Sequence, residues 1–405
     1  MKIAVIGAGL SGLNAARILS EYCNVDVYEK NTPGGLAGSV CTENYCIESF
    51  YHHFFRGDEY LLGILRELNL SGKVVWSVVR VGQAHRGKIY SLSTPLDILL
   101  YPGMNFMEKL RLARFTYEAK RKEYWRFDET GVMEGLRKDA GESLINKFFM
   151  PLLRSKFGEN FSEVSYAWLL ARVSLRANRK LSGEELGYLR GGFHQLVDSL
   201  SENLNVIGEE AKISRTNKWE VNGREYDVVL YTAPLPELKN LSGVISIPQI
   251  RYQSSICLLM GMKERFHDTI YWINYENEPF GATIEHTNFM PHEDYGEHVI
   301  YAASYTTPDR VFDRQDHEIF RLYIRGLSDY GLDEDQIKWW KVIRAKYSGP
   351  IYETGFLKKV TPYRILDDFY IAGMTSMPNY PERSMNGSLL AGKEVAEKII
   401  KDHLS

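Results

Sequence analysis

The sequence predicts an α/β protein (α+β overall), in which a parallel-sheet domain is interrupted by a helical insertion and by an antiparallel β-sheet insertion. Three observations predict this class. A short β-branched strand, a glycine turn and a helix stand at the N terminus. Helical periodicity runs from Pro95 to about Ser182, and polar and apolar residues alternate in many places between 250 and 305. The order of these patterns indicates one discontinuous domain that carries two inserted pieces.

The N-terminal pattern is a βαβ unit of about 30 residues. KIAVI forms a buried strand, GAGLSG follows it, LNAARILSEY is a helix with small residues on one face, and NVDVYEK is the next strand. Near the other end, YDVVLYTAP and DDFYIAGM predict strands, and NGSLLAGKEVAEKIIKDHL predicts a closing helix. Both ends of the chain therefore belong to one Rossmann-like domain.

The two insertions lie between these ends. GKIYSLS predicts a strand, and FMEKLRLARFTYEAKRKEYWRF, GESLINKFFMPLLRSKFG and SYAWLLARVSLRANRK predict helices. GGFHQLVDSLSENL predicts a later helix, and NVIGE and AKISRTNKWEV each predict a strand. We expect the Rossmann-like domain to comprise residues 1–72, 187–245 and 346–405, the helical insertion 73–186 and the sheet insertion 246–345.

Composition limits the classes of partner. The chain has 405 residues, 44% of them hydrophobic, and a net charge of −3, which is not the basic excess of a nucleic-acid binder. Aromatic residues make up 13% and are common in pockets for small molecules, so we expect a small-molecule substrate. The charged run within residues 109–126 is interpreted as a solvated helix face, while peripheral membrane contact and homo-oligomerisation stay open.

Cysteine usage and the N terminus predict the compartment. Cys23, Cys41, Cys46 and Cys257 form no CxxC pattern, so neither a zinc site nor a redox pair is expected. Cys41 and Cys46 could pair on a hairpin, but we expect free thiols. The chain shows no signal peptide and no run of roughly 20 apolar residues that would span a bilayer, so we expect a reduced, cytoplasmic setting.

The glycine turn predicts a dinucleotide site. Gly7, Gly9 and Gly12 form GxGxxG between a strand and a helix, with Leu10 and Ser11 inside the motif. The first glycine allows a tight turn, the second lets the backbone approach a pyrophosphate, and the third lets helix and strand pack closely. The helix N terminus then presents free N–H groups to the phosphates.

An acidic residue and a second glycine pair follow this turn. Glu29 lies 20 residues after Gly9, where an acid accepts hydrogen bonds from ribose hydroxyls and disfavours a 2′-phosphate. Gly34 and Gly35 come within six residues of Glu29, and a plain NAD domain has no need of them. This spacing resembles the FAD fingerprint of the amine oxidase, phytoene desaturase and protoporphyrinogen oxidase-like superfamily, which implies FAD as the cofactor.

The resemblance extends to two later segments, of which YDVVLYTAP resembles the superfamily's central strand that returns to the FAD domain. FYIAGMTSMPNYPERSMNGSLLAGKEVA resembles the C-terminal flavin segment, in which a helix N terminus points at flavin O2 and N1 and stabilises the reduced ring. Met374 stands where an acid often holds the ribityl chain, and Leu36 replaces the arginine of the amine oxidase branch. The resemblance implies further cofactor contacts at Lys30, Leu36, Ala37, Lys212, Ile213, Ala233, Gly373, Met374, Asn386, Gly387 and Ser388.

Much of the chain also resembles UDP-galactopyranose mutase, in the order HRGKIYSLSTPLDIL, KFFMPLLRSKFG, GGFHQLVDSL and ATIEHTNF. In that enzyme reduced flavin attacks the sugar and two arginines hold the diphosphate. Arg172 stands at one arginine position, but Gly281 and Ala282 stand at the other. The leading hypothesis is therefore an FAD-dependent oxidoreductase that transfers a hydride from a substrate C–H to flavin N5, with isoprenoid and tetrapyrrole-like compounds as candidate substrates. A mutase-like isomerase and a non-catalytic FAD-binding protein are the alternatives.

Several residues are candidates for the catalytic site. His52 and His53 are neighbours in YCIESFYHHFF, where the mutase resemblance implies a histidine beside the flavin. Neighbours in an extended segment alternate, so only one of the two faces the ring, as a hydrogen-bond partner or base. No metal is expected, because no HxH or HExxH pattern is in range. Glu285 and His286 are the second candidate pair.

Other residues are predicted to line the substrate pocket. Arg172 and Arg176 are four residues apart on one predicted helix face, where they bind an anionic substrate or pair with acids. Aromatic side chains are the remaining pocket candidates: Tyr188, Tyr271, Trp272, Tyr305 and Tyr380.

Overall fold

The structure is a computed structural model that describes residues 1–175, 179–180, 183–238, 246–306 and 311–404. The chain divides into two compact units. The first unit is built from Met1–Val74, Tyr188–Ile250 and Leu357–Ser405, and the second from Val75–Gly187 and Arg251–Phe356. Each unit is described by itself below.

Within the described residues the strands are β1 (Lys2–Ile6), β2 (Asn24–Tyr28), β3 (Ser39–Cys41), β4 (Cys46–Glu48), β5 (Val74–Val79), β6 (Val81–His85), β7 (Lys88–Ser91), β8 (Arg179–Lys180), β9 (Gly183–Leu189), β10 (Asn205–Ile207), β11 (Ile213–Arg215), β12 (Trp219–Val221), β13 (Arg224–Tyr226), β14 (Val228–Tyr231), β15 (Tyr252–Met262), β16 (Trp272–Asn274), β17 (Ala282–Glu285), β18 (His298–Thr306), β19 (Ile337–Pro350), β20 (Arg364–Leu366) and β21 (Phe369–Ile371). The α-helices in the same ranges are α1 (Leu10–Leu19), α2 (Glu59–Glu67), α3 (Pro95–Leu100), α4 (Phe106–Ala119), α5 (Val132–Asp139), α6 (Glu142–Leu144), α7 (Met150–Phe157), α8 (Tyr166–Leu175), α9 (His194–Ser201), α10 (Asp316–Ser328) and α11 (Met385–His403).

The first unit is organised around a six-stranded sheet of order β10-β2-β1-β14-β21-β20. Its pairs are parallel except β20 with β21, which is antiparallel. β1 is buried from Ile3 to Ile6 and β14 along its whole length, as inner strands of a parallel sheet require. The predicted βαβ unit and the mixed α/β class are confirmed.

Helix α11 closes the first unit by packing on α1. The side chain of Ser11 donates a hydrogen bond to the carbonyl of Ser388 at 2.8 Å, and the buried side-chain amide of Asn14 donates to the carbonyl of Leu389 at 2.7 Å. Gly392 makes the approach of the two helices possible, because a Cβ atom there would lie 2.4 Å from the carbonyl oxygen of Ser11. Helices from the two ends of the chain are thus joined by hydrogen bonds to backbone carbonyls and by close packing at Gly392.

The expectation of free thiols at Cys41 and Cys46 is wrong. These residues are directly opposed in the β3–β4 hairpin and form a disulfide. Pairing across a five-residue separation needs a hairpin that brings the two Cβ atoms together, and the short flanking strands gave little sign of it. The cysteine argument for a reducing compartment therefore no longer holds.

The second unit is organised around a seven-stranded sheet of order β19-β15-β18-β17-β16-β6-β7. Strand β15 pairs antiparallel with both β18 and β19, whereas β16 pairs parallel with β6. Helix α10 places its buried Ile319, Tyr323 and Leu327 in the core that covers this sheet. A smaller sheet of order β5-β9-β8 lies mainly in the residues of this unit.

Two predicted elements differ from the structure. The predicted helix includes Lys180, whereas residues 179–180 form a short strand that pairs with β9 and α8 is described as Tyr166–Leu175. AKISRTNKWEV contains two strands, β11 and β12, which pair with each other, and β12 also pairs with β13. Local periodicity missed both boundaries because the two strands of a short hairpin share one alternating pattern.

No helix in the described ranges is long and apolar enough to cross a membrane. Over those same ranges, no group of three or more His, Cys, Asp or Glu residues is placed to hold a metal ion.

The contact at Gly392 gives a test of how the first unit is closed. We expect Gly392→Ala to lower the free energy of unfolding by about 1–3 kcal/mol, because the added methyl group overpacks the α1–α11 contact. Gly57→Ala is the control, since a Cβ atom there meets nothing within 4 Å. Urea unfolding followed by circular dichroism measures both, and equal midpoints for the two variants would contradict the packing account.

Candidate functional site

The glycine turn between β1 and α1 has the geometry of a dinucleotide cradle. Gly7 adopts a φ of +104°, which favours glycine, and its N–H donates to the carbonyl of Tyr28 at 2.8 Å. A Cβ atom on Gly12 would lie 2.0 Å from the carbonyl oxygen of Gly7, so the helix start is pressed against the strand end. At Gly9 a Cβ atom would meet nothing within 4 Å, which leaves open space beside the backbone.

Helix α1 begins without a side-chain cap, because its N-cap residue is Gly9. The leading N–H groups of a helix have no partner within the helix, and the helix dipole makes this end attractive to anions. Leu10 and Ser11 are buried, and the first turn contains no acidic residue that would compete with a phosphate. The open space at Gly9 and the uncapped helix start fit a pyrophosphate.

Glu29, just after β2, is held by two backbone N–H groups. Its Oε2 accepts a hydrogen bond from Ala8 and its Oε1 accepts one from Asn31, each at 2.9 Å. A carboxylate has about four acceptor sites, so Glu29 keeps acceptor capacity for ribose hydroxyls. The neighbouring Lys30 instead points to the side chain of Glu237, with which it forms an ion pair at 2.8 Å.

The second glycine pair is attached directly to this turn. The N–H of Gly34 donates to the carbonyl of Ala8 at 2.8 Å, and Gly34 and Gly9 form a parallel β-bridge. Both Gly34 (φ +111°) and Gly35 (φ +57°) occupy the left-handed region that favours glycine. Beyond them, Leu36 is half-buried and Ala37 is buried.

The C-terminal segment is folded around Asn379. The side-chain amide of Asn379 donates to the carbonyl of Gly373 at 3.0 Å, and its Oδ1 accepts from the N–H of Ser384 at 3.0 Å. Ser384 caps α11 by accepting from the N–H of Gly387 at 2.9 Å. The segment thus holds the start of α11 beside the turn that follows β21.

The remaining predicted cofactor residues occupy several environments. Asn386 accepts from the N–H of Leu61 at 2.9 Å, and Met374, Ser388 and Ala233 are half-buried. Lys212 is exposed and its N–H donates to the side chain of Asn222, while Ile213 begins β11.

Sequence reasoning missed two residues that shape the cradle. Thr232 follows β14, and its hydroxyl hydrogen-bonds to the carbonyls of Ile6 and Gly7, both at 2.9 Å. Asn379 likewise holds a backbone turn in the C-terminal segment, through its hydrogen bond to the carbonyl of Gly373. The place of Thr232 in the sequence could have predicted this role, since it directly follows a buried strand whose end meets the glycine turn.

His52 lies in the first unit and has a defined tautomer. Its Nδ1 is 2.5 Å from the carbonyl oxygen of Phe50, which can only accept, so Nδ1 donates and the lone pair of the neutral ring is on Nε2. Burial lowers the pKa of His52 to about 4, and the nearby charge of Arg383 acts in the same direction. The ring of His53 contacts Phe55 instead, with centroids 5.4 Å apart.

A buried carboxyl holds the segment before these histidines. Glu48 accepts from the hydroxyl of Tyr188 at 2.7 Å and from the N–H of Phe193 at 2.6 Å, and burial raises the pKa of its carboxyl. The ring of Phe193 lies edge-on to that of His52, with centroids 6.4 Å apart. Tyr188, a predicted pocket residue, is therefore a buried partner of Glu48.

Glu285 and His286 are buried in the second unit. Glu285 accepts from the hydroxyl of Thr287 at 2.9 Å and from the N–H of Phe266 at 3.2 Å, and burial raises its pKa to about 7. The Nε2 atom of His286 is 2.7 Å from the hydroxyl of Tyr295, and burial lowers the pKa of His286 to about 3. Both side chains therefore favour the neutral form.

The other predicted pocket residues are distributed over both units. In the second unit Arg172 is half-buried, with its guanidinium 5.6 Å from the ring centroid of Trp168. Arg176 lies outside the described residues.

The aromatic candidates are similarly divided. Tyr271 is buried against Phe289, with ring centroids 5.1 Å apart, and Trp272 donates to the side chain of Asn274 at 2.9 Å. Tyr305 is half-buried, with the amino group of Lys156 at 5.6 Å from its ring centroid. These residues belong to the second unit, whereas the buried Tyr380 belongs to the first.

Comparison with known proteins identifies the cofactor. The model of the flavin containing amine oxidoreductase family matches residues 10–400, almost the whole chain. The cofactor is FAD, and the protein is a flavin-dependent enzyme. A search of curated proteins finds no match to this chain.

Solved structures of this fold resemble the chain over its full length. One is a protein from Exiguobacterium sp. 255-15 named "putative protoporphyrinogen oxidase", with 17% identity, coverage of 99% of both chains and a TM-score of 0.79. Reduced UDP-galactopyranose mutase has 18% identity, coverage of 99% of this chain and 95% of its own, and a TM-score of 0.72. Cyclohexylamine oxidase from Brevibacterium oxydans IH-35A has 14% identity, coverage of 100% and 99%, and a TM-score of 0.74. At these identities the similarity establishes the fold.

The close approach at Gly12 predicts the effect of one methyl group on FAD. We expect Gly12→Ala to weaken FAD binding at least about tenfold, because the new Cβ atom would push α1 away from the Gly7 turn. Gly72→Ala is the control, since its Cβ atom would meet nothing within 4 Å. Flavin absorbance of the purified proteins, titrated with FAD, measures the effect. Full FAD content in Gly12→Ala would show that the turn does not form the cradle.

The raised pKa of Glu285 predicts a dependence of stability on pH. The folded carboxyl keeps its proton up to a pKa of about 7, whereas the ordinary value is 4.5, so its contribution to stability is lost as pH rises through this window. The free energy of unfolding of Glu285→Gln, taken relative to that of the wild type, should therefore be higher at about pH 8 than at about pH 5, by roughly 3 kcal/mol.

Urea unfolding at the two pH values measures this difference. Glu264→Gln, which replaces an exposed carboxyl of the same unit, is measured beside Glu285→Gln as the matched control. A difference that does not change with pH in Glu285→Gln would contradict the raised pKa.

Proposed function

Because the chain belongs to the flavin containing amine oxidoreductase family, we propose that it is an FAD-dependent oxidoreductase that removes a hydride from a substrate C–H. Bound FAD supplies a ring that accepts the hydride at N5 and its two electrons. The observation that carries the proposal is His52, a neutral histidine with its Nε2 lone pair available in the unit that contains the FAD cradle.

In this proposal the first unit holds the cofactor. The N–H groups at the start of α1 and the open backbone at Gly9 bind the pyrophosphate, while Glu29 accepts from the ribose hydroxyls. Gly34 and Gly35 would let the chain pass close to the cofactor, and the N–H groups at the start of α11 would stabilise negative charge on the reduced flavin.

A series of contacts supports the placement of His52 near the cofactor. A Cβ atom on Gly34 would lie 3.2 Å from the side chain of Val197, which belongs to α9. Phe193 precedes α9 and its ring contacts that of His52. One short helix therefore connects the glycine loop with the histidine, so we place the His52 ring beside the flavin.

The proposed role of His52 is to accept a proton. As hydride leaves the substrate carbon, a proton on the adjacent heteroatom or carbon moves to Nε2, and the substrate gains a double bond. The bond from Nδ1 to the Phe50 carbonyl holds the ring in the tautomer that accepts at Nε2. Because its pKa is about 4, His52 is neutral and able to accept a proton at neutral pH.

The substrate class is proposed more broadly. An apolar or amphipathic small molecule suits the aromatic composition, with isoprenoid and tetrapyrrole-like compounds as the first candidates. Amines form a second class to test, because one similar structure is cyclohexylamine oxidase and another is putrescine oxidase bound to putrescine.

A mutase is the second candidate, favoured by the full-length similarity to reduced UDP-galactopyranose mutase. One position counts against it. At Gly281, where the resemblance places the second arginine, a Cβ atom would lie 2.3 Å from the hydroxyl of Ser155. No side chain fits there without movement, so the charge for the second phosphate contact is missing.

The experiment that tests the proposal mixes the oxidised holoprotein with cyclohexylamine, putrescine or protoporphyrinogen without oxygen, and follows the visible flavin absorbance. Bleaching by one of these compounds with stoichiometric substrate oxidation supports the oxidoreductase. Dithionite-reduced protein is separately given UDP-galactopyranose. Conversion of this sugar without net redox change, together with no bleaching by any donor, would replace the proposal with the mutase.

The role of His52 gives a mutational prediction. We expect His52→Asn to slow flavin reduction by about 10²–10⁴-fold, because the amide can still donate to the Phe50 carbonyl but cannot accept the proton. FAD content should not change. The wild-type rate should stay constant at neutral pH and fall only as pH approaches about 4, where His52 becomes protonated.

Stopped-flow reduction with the donor found above measures these rates. His317→Asn, at an exposed histidine of the second unit, is the matched control and should reduce at the wild-type rate. If His53→Asn is slow and His52→Asn is not, the roles of the two neighbours are reversed. Wild-type rates in both variants would remove the histidine base altogether.

A further inference from the structure

Apolar side chains are concentrated on the outer surface of α3 and α4. Among the described residues, thirteen large hydrophobic side chains are exposed, and eight of them fall between residues 96 and 125. The exposed fraction reaches 70% for Leu100 and 67% for Phe106. We call the following set the α3–α4 patch: Leu96, Leu99, Leu100, Phe106, Met107, Leu110 and Tyr117.

Helix α4 is apolar on two opposite faces. Its inner face carries the buried Leu112, Phe115 and Ala119. Phe106, Leu110 and Tyr117 are spaced by four and seven residues, so they share one face, and all three are exposed. A surface helix is normally polar on this side, so the outer stripe is suited to an apolar environment outside the chain.

Basic residues border the outer stripe. Residues 95–126 contain seven Lys or Arg and four Asp or Glu, a net charge of +3 in a chain of net charge −3. Arg111, Arg114 and Arg121 are exposed on α4 or directly after it. The guanidinium of Arg121 lies 3.4 Å from the ring centroid of Tyr117, so charge and apolar surface are adjacent.

Two of the four acids are turned away from this surface. Asp97 is occupied by hydrogen bonds from Ser91, Ser93 and Thr94. Glu108 is buried and forms an ion pair with Lys147 at 2.8 Å. Of the basic residues, Arg114 pairs with Glu118 and Lys122 with Asp139, so Arg111 and Arg121 are the arginines that carry the proposed phosphate contacts.

We propose that the α3–α4 patch docks on the surface of an anionic lipid bilayer. The leucines of α3 and Phe106 enter the boundary between headgroups and acyl chains, while Arg111 and Arg121 contact lipid phosphates. The contact is peripheral. It does not depend on the proposed reaction, because it concerns only the outer surface of two helices in the second unit.

Charge favours a lipid surface over a second copy of the chain. A symmetric dimer through this patch would bring the same surface to both sides, and so would place arginines of one copy close to those of the other. Like charges at close range are unfavourable, particularly at low salt. An anionic bilayer offers negative charge to the arginines and an apolar layer to the exposed hydrophobic side chains.

Vesicle sedimentation of the FAD-bound protein tests the proposal. We expect binding to vesicles of phosphatidylcholine with phosphatidylglycerol, at least tenfold weaker binding to phosphatidylcholine alone, and weaker binding at high salt. The double variant Leu100→Ser/Phe106→Ser should lose at least tenfold in affinity. Arg111→Gln/Arg121→Gln should lose affinity and much of the salt dependence.

The control removes two exposed apolar side chains from the first unit, in Tyr22→Ser/Leu404→Ser, and should bind vesicles like the wild type. FAD content verifies that each variant is folded. No binding to either vesicle, or equal binding to both, would overturn the proposal. A wild-type dimer that dissociates in Leu100→Ser/Phe106→Ser without vesicle binding would assign the patch to a second copy instead.

Discussion

The contact between Gly12 and the carbonyl of Gly7 is the constraint on which the first unit depends. Only glycine at position 12 lets the start of α1 approach the end of β1 closely enough for the helix N terminus to remain uncapped and open. Thr232 stabilises the same turn from β14, and Gly34 bonds to Ala8 within it. Three chain segments therefore meet at one backbone turn, and their contacts leave the first N–H groups of α1 open to a ligand.

Burial acts on histidines and carboxyls in opposite senses, and both senses occur here. It keeps His52 and His286 unprotonated, and it keeps a proton on Glu285 up to a pKa of about 7. For His52 the hydrogen bond to the Phe50 carbonyl also fixes the tautomer, because it determines which ring nitrogen holds the lone pair. The lowered pKa keeps the ring of His52 neutral at neutral pH, and the fixed tautomer leaves the lone pair on Nε2.

The parts that could be predicted from sequence are those encoded locally. GxGxxG, Glu29 and the Gly34–Gly35 pair lie within 30 residues, and their spacing alone indicates a dinucleotide fold. The Cys41–Cys46 disulfide and the role of Asn379 were missed because they depend on how loops fold back on themselves. Burial was also hidden: Glu285 and His286 were predicted as a catalytic candidate pair, and only packing shows that both side chains are buried. The sequence of α4 showed a charged run, but which of its apolar residues are exposed could be known only from the orientation of the helix.

The discontinuous sheet of the first unit has a consequence for synthesis on the ribosome. Strand β14 pairs with β1 across more than two hundred residues, and β21 and α11 come from the last tenth of the chain. Until those residues emerge, α1 lacks the helix that covers it and the sheet lacks its later strands. The first unit therefore cannot close until the segment that carries β21 and α11 has emerged, because distant parts of the chain supply its sheet and the helix that covers α1.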